Sequence, residues 1–331
     1  MKTSPAAILS LAILAGINLP AFAASSVGGV IIDYVTVGNS GNAADPATGS
    51  LYGAVAYDYQ IAKNETTIDQ YAEFLNAAAK SDPYSLYSTN MTTSYINGIS
   101  RSGISGSYSY AVNPGSANKP ITIVSWFDAA RFCNWMHNGQ GSGSTETGAY
   151  TLNGAMSGIY LKSPNATVWI PSENEWYKAA YYDATKGGTG GYWPYPTQRN
   201  SMTTNDIGVA GAANYTDAKG YAVYGSGAGP WGITDVGAYG ANSDSFYGTN
   251  DQGGNVWEWN DTIVSGALRG MRGGAWNNLA NDDFLTSSYS SQRVPSGEYA
   301  FLGFRVATIP EPGCVVLTLL ASGVLVTRRK R

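Results

Sequence analysis

The stretch 251–261, which reads DQGGNVWEWND, contributes most to the interpretation of this chain. Two further blocks follow it, LRGMRGGAWNN at 268–278 and LGFRVA at 302–307. If the first block is a strand, Trp257 and Trp259 share one face, because alternate side chains of a strand point the same way. The blocks therefore predict core segments near the C-terminus, joined by a glycine-rich turn that lets backbone segments approach closely.

Three helices are predicted from capping signatures, in which a Ser or Thr precedes an acidic residue by three positions. The pairs are Thr66–Asp69, Ser125–Asp128 and Ser172–Glu175, and they predict helices over about 67–79, to about His137, and to about Tyr182. The second helix should bury one apolar face, formed by Ala129, Phe132, Cys133 and Met136. β-Branched enrichment predicts strands at 28–37 and about 54–62, and Gly303 to Arg305 should form the final core strand.

The order of these motifs resembles that of the sulfatase-modifying-factor family, whose best-known members are formylglycine-generating enzymes. The similarity includes PITIVSWFDAARFCNWM at 120–136 and VWIPSENEWYKAAYYD at 168–183, and it extends from about Glu65 to Val306. The resemblance implies an α+β fold, a formylglycine-generating-enzyme-like (C-type-lectin-like) single domain over 25–307. Such a domain has small antiparallel sheets, a few helices and much irregular loop.

The family's enzymes carry two active-site cysteines that bind copper shortly after the RGG-S/A-W block. Counting from Trp276, the corresponding positions fall near Asn278 and Asp283, and neither side chain supplies the soft thiolate that Cu(I) prefers. Copper-dependent oxidation of a substrate cysteine is therefore expected to be absent. The loop is rich in groups suited to polar recognition instead, and a plain solvated loop is the alternative. The candidate ligand-binding residues are Trp276, Asn277, Asn278, Asp282, Asp283, Tyr289 and Arg293.

Besides copper, the resemblance implies calcium, because family members bind calcium through the GNVWEW motif. The carry-over gives the Asn255 side chain, the Val256 carbonyl and Glu258, with Gly254 as a further candidate. A second family site corresponds to Asn214 and Tyr215, with Asp217 or Asp235 as its acidic ligand. The alternative for Glu258 is an ion pair with Arg269, Arg272 or Arg305, since a buried carboxylate requires a partner.

Composition excludes several classes of function. Charged residues make up 13% of the chain and the net charge is −4, so a nucleic-acid partner is not expected. One histidine cannot build the usual histidine-ligated iron or zinc site, and no haem, flavin or nucleotide is expected. A hydrophobic content of 44% predicts a packed core, and 41 glycines indicate many loops.

Both ends of the chain resemble sorting signals. Residues 1–23 combine Lys2, an apolar run and the small-x-small site at Ala21 to Ala23, which predicts a cleaved secretory signal peptide. Residues 309–331 contain Pro310, Glu311 and Pro312, a short apolar run and a basic tail, and they resemble a PEP-CTERM sorting signal. That resemblance implies an exosortase-type protease as partner, at least transient membrane insertion, and export across the inner membrane to the surface or matrix of a Gram-negative bacterium. A permanent tail anchor is the alternative.

These expectations favour an exported cell-surface or extracellular-matrix protein with a non-catalytic domain. Its ligand would be an envelope polysaccharide or another envelope protein. The alternative is a divergent, oxidoreductase-type enzyme of the same family that acts on an envelope protein, and a purely structural matrix component is a third hypothesis. The sequence leaves open whether the chain is an enzyme. It favours a non-catalytic domain, because the family's catalytic cysteines are absent and one histidine leaves few general bases.

Overall fold

A computed structural model of the chain describes residues 29–92, 96–216, 232–279 and 283–310. Its α-helices are α1 Ile68–Ala78, α2 Trp126–His137 and α3 Glu173–Tyr181. The described strands are β1 Tyr34–Val37, β2 Tyr59–Ala62, β3 Ile99–Ser102, β4 Ser109–Val112, β5 Val168–Trp169, β6 Tyr182–Asp183, β7 Gly191–Tyr192, β8 Trp257–Ser265, β9 Leu268–Arg272, β10 Ser291–Arg293, β11 Leu302–Gly303 and β12 Ala307–Thr308.

The capping boxes of α2 and α3 confirm the predicted helix starts. Ser125 caps α2 with Asp128, and Ser172 caps α3 with Glu175. The prediction for α1 was wrong by one residue, because its N-cap is Thr67 and the reciprocal partner is Gln70. Thr66 is instead buried, and its backbone N–H donates to the Phe304 carbonyl, which leaves it outside the helix.

Two four-stranded sheets and two hairpins make up the β structure. The first sheet has the order β1-β2-β12-β5 and the second the order β10-β9-β8-β11, while β3-β4 and β6-β7 form the hairpins. All pairs are antiparallel except β11 with β8, which run parallel. This arrangement confirms the α+β, formylglycine-generating-enzyme-like fold, with one parallel pair that the sequence did not suggest.

Three predicted strands were too long or displaced. β1 and β2 are four residues each, because their ladder extends only from Tyr34–Ala62 to Val37–Tyr59. The final segment divides in two: β11 ends at Gly303, and β12 begins at Ala307 after Arg305 has turned into the interior. Within the described residues, no helix is long and apolar enough to cross a membrane.

The main core lies between α1, α2 and the two sheets. Phe74 of α1, Phe132 of α2 and Phe304 meet in edge-to-face contacts, with ring centroids 5.4–5.5 Å apart. On the predicted face of α2, Ala129, Phe132 and Cys133 are fully buried, and Met136 is half-buried. This core fixes β8 and the segment around Arg305, which together carry the candidate site.

Candidate functional site

Glu258 of β8 lies in a buried ion pair with Arg305. The parallel register places Gly303 opposite Glu258, which brings the guanidinium two residues later onto the carboxylate. Arg305 Nε donates to Glu258 Oε2 at 2.6 Å and Nη2 donates to Oε1 at 2.7 Å, and both side chains are fully buried. Trp176 Nε1 of α3 also donates to Oε2, at 2.8 Å. The ion-pair alternative for Glu258 is therefore present, with Arg305 as the partner.

The same guanidinium also contacts three backbone carbonyls. Nη1 donates to the carbonyls of Ala62 and Lys63, each at 3.0 Å, and Nη2 donates to that of Asn250 at 2.8 Å. Arginine has five N–H donors, so all five of those of Arg305 are paired. Arg305 thus joins the end of β2, the segment before β8 and β8 itself.

The other two candidate arginines pair with different acids. Arg269 donates to Asp261 Oδ1 at 3.0 Å, and its guanidinium lies 3.8 Å from the centre of the Trp126 ring. Arg272 donates from Nε to Glu173 Oε1 at 2.7 Å. Arg269 and Arg272 of β9 and Arg305 after β11 therefore each have their own carboxylate, which satisfies buried charge locally.

The predicted calcium ligands form one cluster, in which Asn214 contacts Asn255 directly. Asn255 Oδ1 accepts from Asn214 Nδ2 at 3.1 Å and from the N–H and hydroxyl of Thr234 at 3.1 and 3.2 Å. Gly254 allows this approach, because a Cβ there would lie 2.2 Å from the Asn214 carbonyl oxygen. The two sites carried over from the family are thus adjacent in space.

The donor set at Glu258 does not fit calcium in this arrangement. Calcium takes six to eight oxygens, but the Glu258 and Asn255 side-chain oxygens are already used by N–H and O–H donors. Asn214 is different, because its buried Oδ1 has no hydrogen-bond partner among the described residues. The Tyr215 carbonyl accepts from Asn205 Nδ2. Calcium binding at Asn214 and Tyr215 stays a prediction.

Two further carboxylates face the buried ion pair. Glu65 Oε1 accepts from Asn255 Nδ2 at 3.1 Å, while its Oε2 has no partner among the described residues. Burial raises the pKa of Glu65 well above its usual range, and the negative charges of Asp251 and Glu258 raise it further. Burial also raises the pKa of Asp251 to about 6. One arginine therefore faces three carboxyl groups, and protonation relieves their repulsion.

The residues nearest to the cysteine positions expected from the family resemblance are an amide, Asn278, and an acid, Asp283. Asn278 closes a turn, since its Oδ1 accepts from the Ala275 N–H at 2.7 Å. Asp283 is exposed and begins a short 3-10 turn that ends at Leu285. Asp282 lies outside the described residues. The described thiol, that of Cys133, is fully buried in the core, and burial raises its pKa well above the usual range.

Aromatic rings form a floor beneath this loop. The Phe284 and Tyr289 rings meet edge to face at 4.6 Å, and each also lies against Trp257, at 6.0 and 5.9 Å. Arg272 Nη1 fixes the loop from below by donating to the Tyr289 carbonyl at 2.6 Å. Tyr289 was predicted from the sequence as a residue of this loop, but Phe284 and Trp257 were not, although Phe284 is also an aromatic residue within a polar loop.

The remaining predicted loop residues surround this floor. The Trp276 N–H donates to the Asn255 carbonyl at 2.9 Å, which connects the loop to the ionic cluster. Asn277 is exposed, and the half-buried Arg293 ends β10, where it pairs with Arg269 of β9. The structure therefore places Trp276, Asn278, Tyr289 and Arg293 in ordered positions and leaves Asn277 and Asp283 open to solvent.

Comparison with solved structures finds other proteins that are similar to this chain. CarF is 20% identical, with a TM-score of 0.53 over 85% of this chain and 99% of CarF. Treponema denticola variable protein 1 is 18% identical, with a TM-score of 0.50 over 86% of this chain and 98% of its own. PvdO from Pseudomonas aeruginosa is 17% identical, with a TM-score of 0.44 over 84% and 92%. At these identities the first two matches concern the fold alone.

A search of curated proteins finds no match to the sequence. A family model does match, over residues 38–309, and it describes a sulfatase-modifying factor enzyme 1-like domain. The match includes the three capped helices, the buried Glu258–Arg305 pair and the loop that follows Trp276. The chain belongs to the sulfatase-modifying factor enzyme 1-like (FGE-sulfatase) family.

Proposed function

We propose that this chain is an exported surface or matrix protein whose domain binds an envelope polysaccharide without oxidising it or any partner. The proposed contact surface is the recognition loop, which we define as residues 276–279 and 283–293. In this proposal the signal at 1–23 directs export, and an exosortase-type protease acts at Pro310, Glu311 and Pro312. Pro310 is exposed, while Glu311 and Pro312 lie outside the described residues.

The observation that carries the proposal is the chemistry at the two cysteine positions. By the family resemblance, the turn-closing amide of Asn278 and the solvent-facing carboxylate of Asp283 stand near the positions that hold thiolates in the family's enzymes. Cu(I) selects soft sulfur ligands, so a site built from these side chains would not hold it. A polar surface therefore occupies this part of the family fold.

The construction of the recognition loop supports a binding role. The rings of Trp257, Phe284 and Tyr289 hold the loop in place, which lowers the entropy lost on binding. Asn277 and Asp283 present amide and carboxylate groups to solvent above this floor. Ordered hydrogen-bonding groups next to aromatic surface suit a hydroxyl-rich polymer, since sugar hydroxyls both donate and accept.

Binding of the purified protein to exopolysaccharide from a producing cell tests the proposal. We expect saturable binding that weakens at least tenfold when Asn277→Ala and Asp283→Ala are combined. The matched control is Glu73→Ala, which removes an exposed carboxylate from α1 and should leave the affinity unchanged. Saturable binding to an envelope protein with none to polysaccharide would overturn the proposed ligand class, and binding unaffected by the double variant would overturn the assigned surface.

A further inference from the structure

A second concave surface lies beside the recognition loop, and neither the sequence motifs nor the family match assigns it a role. One side is formed by residues 43–47, and the other by the β6-β7 hairpin with Tyr182, Lys186 and Tyr192. Its volume is about 520 Å³, within the range of small-ligand sites. We refer to it as the tyrosine groove.

Two aromatic rings in this groove have fixed positions. Tyr182 and Tyr192 pair across the hairpin, with ring centroids 5.0 Å apart and planes at 61°. The Tyr192 hydroxyl accepts from Asn42 Nδ2 and donates to the Ala43 carbonyl, each at 2.7 Å, so this ring also anchors the opposite side. Both side chains are half-buried and keep part of each ring open to the groove.

The groove carries one negative and one positive side chain, each in contact with neighbouring groups. Asp45 accepts from the Ala47 N–H at 2.9 Å and from the Tyr177 hydroxyl at 2.6 Å, and it is almost fully buried. Lys186 Nζ donates to the Tyr192 carbonyl and lies 4.0 Å from the centre of the Trp193 ring. The two opposite charges leave the groove without net charge, which favours a neutral ligand over an anionic one.

Small side chains and glycines line the rest of the groove. Gly187 is exposed, has a φ of +64°, and a Cβ there would meet nothing within 4 Å. The backbone at Gly187 therefore lies open to hydroxyl groups of a ligand, whereas the Gly188 N–H already donates to the Thr185 carbonyl. Aromatic faces, an open stretch of backbone and no net charge together match a neutral sugar ring, which has an apolar C–H face and a rim of hydroxyls.

The groove also adjoins the recognition loop through one segment of chain. Tyr192 lies in the groove, and two residues later the Pro194 carbonyl accepts from the Ser287 N–H of the loop at 2.8 Å. Tyr181, which packs against Tyr177 beneath the groove, also donates from its hydroxyl to the Leu285 carbonyl. Hydrogen bonds therefore connect the recognition loop with the segment that forms one side of the groove.

We infer that the tyrosine groove is a second subsite for neutral sugar rings of the same polysaccharide that the recognition loop binds. The inference rests on the proposed function and extends it, because it specifies uncharged residues in the polymer and a binding surface longer than the loop.

Calorimetric titration of the full protein with neutral hexasaccharides of glucose and of N-acetylglucosamine, in α and β linkages, tests the groove. We expect one of these probes to bind and Tyr182→Leu to weaken it about tenfold, the loss of one aromatic stacking contact. Tyr108→Leu is the matched control, because Tyr108 is a half-buried tyrosine on the β3-β4 hairpin. Ala47→Arg, at an exposed position, should obstruct the groove without disturbing the core.

The outcomes separate the two proposals. Polysaccharide binding that is lost in the Asn277→Ala/Asp283→Ala variant but unchanged in both Tyr182→Leu and Ala47→Arg would overturn the groove and leave the recognition loop intact. Preference for an anionic probe such as polygalacturonate would also overturn it. If the unmodified protein binds no polysaccharide, the proposed function itself is contradicted.

Discussion

Replacing Arg305 by alanine should cost far more stability than neutralising its partner, Glu258. Arg305→Ala leaves Glu258 buried without its cation and removes the donors from the carbonyls of Ala62, Lys63 and Asn250. Breaking a buried ion pair by removing one partner costs roughly 3–5 kcal/mol. The orphaned carbonyls and the cavity add to this, so the loss approaches the total of about 5–15 kcal/mol that stabilises a typical domain.

Glu258→Gln should be milder because Arg305 has other negative neighbours. Burial lowers the pKa of the guanidinium, but the charges of Glu258, Glu65 and Asp251 together raise it above its usual value. After Glu258→Gln the arginine keeps its three backbone acceptors and these acids, so we expect a loss of about 1–3 kcal/mol, the range for one compromised buried polar contact.

Urea denaturation followed by tryptophan fluorescence measures both variants, with midpoints compared at constant slope. Glu73→Ala serves as the exposed control and should shift the free energy of unfolding by less than about 0.5 kcal/mol. Equal losses in the free energy of unfolding for Arg305→Ala and Glu258→Gln would refute the interpretation that all five paired N–H donors of Arg305 contribute to stability. So would an Arg305→Ala variant as stable as the unmodified protein.

Three further outcomes follow from the described contacts. Because burial raises the pKa of Asp251 to about 6, the folded chain holds a proton that the unfolded chain releases, so the free energy of unfolding should fall as pH rises from about 4 to 7. Asp251→Asn should make that slope shallower in urea titrations, while Asp128 and Asp261, whose pKa burial raises to about 7, keep the rest of it. Gly254→Ala should abolish soluble expression or lower the melting temperature strongly, whereas Gly106→Ala, also at positive φ but with open space around it, should lower it much less. Similar changes in melting temperature for the two variants would show that the close contact at Gly254 is not the cause. Ser125→Ala should cost about 1 kcal/mol by urea titration through loss of the α2 cap, and an unchanged midpoint would contradict that role.

Local features of the fold could be predicted because their causes lie within a few residues. The Ser125 and Ser172 caps depend on a side chain three positions away, and the sequence displays both partners. At the start of α1 two adjacent threonines each precede a polar residue by three positions, so only tertiary structure decides between them. The Phe304 carbonyl takes the Thr66 N–H and leaves Thr67 as the cap.

For contacts between residues far apart in sequence, the candidate partners could be reduced to a few, but the actual partner could not be predicted. Glu258 and Arg305 are 47 positions apart, and Arg269 and Arg272 offered the same charge. The register of β11 on β8 makes the choice, and no residue pattern encodes it directly. The tyrosine groove was not predicted at all, because the segments that form its two sides, 43–47 and 182–192, are separated in sequence by all three helices and by strands β2 to β5.

Copper(I) titration against a chromophoric chelator, with and without restored thiols, tests the central claim most directly. The claim is that the family scaffold persists while the recognition loop lacks the metal ligands at Asn278 and Asp283. The unmodified protein should leave Cu(I) on the chelator, and the Asn278→Cys/Asp283→Cys variant should remove one equivalent, because two thiolates would then occupy the family's ligand positions. Stoichiometric Cu(I) uptake by the unmodified protein would contradict the account and restore the copper-dependent enzyme as the leading interpretation.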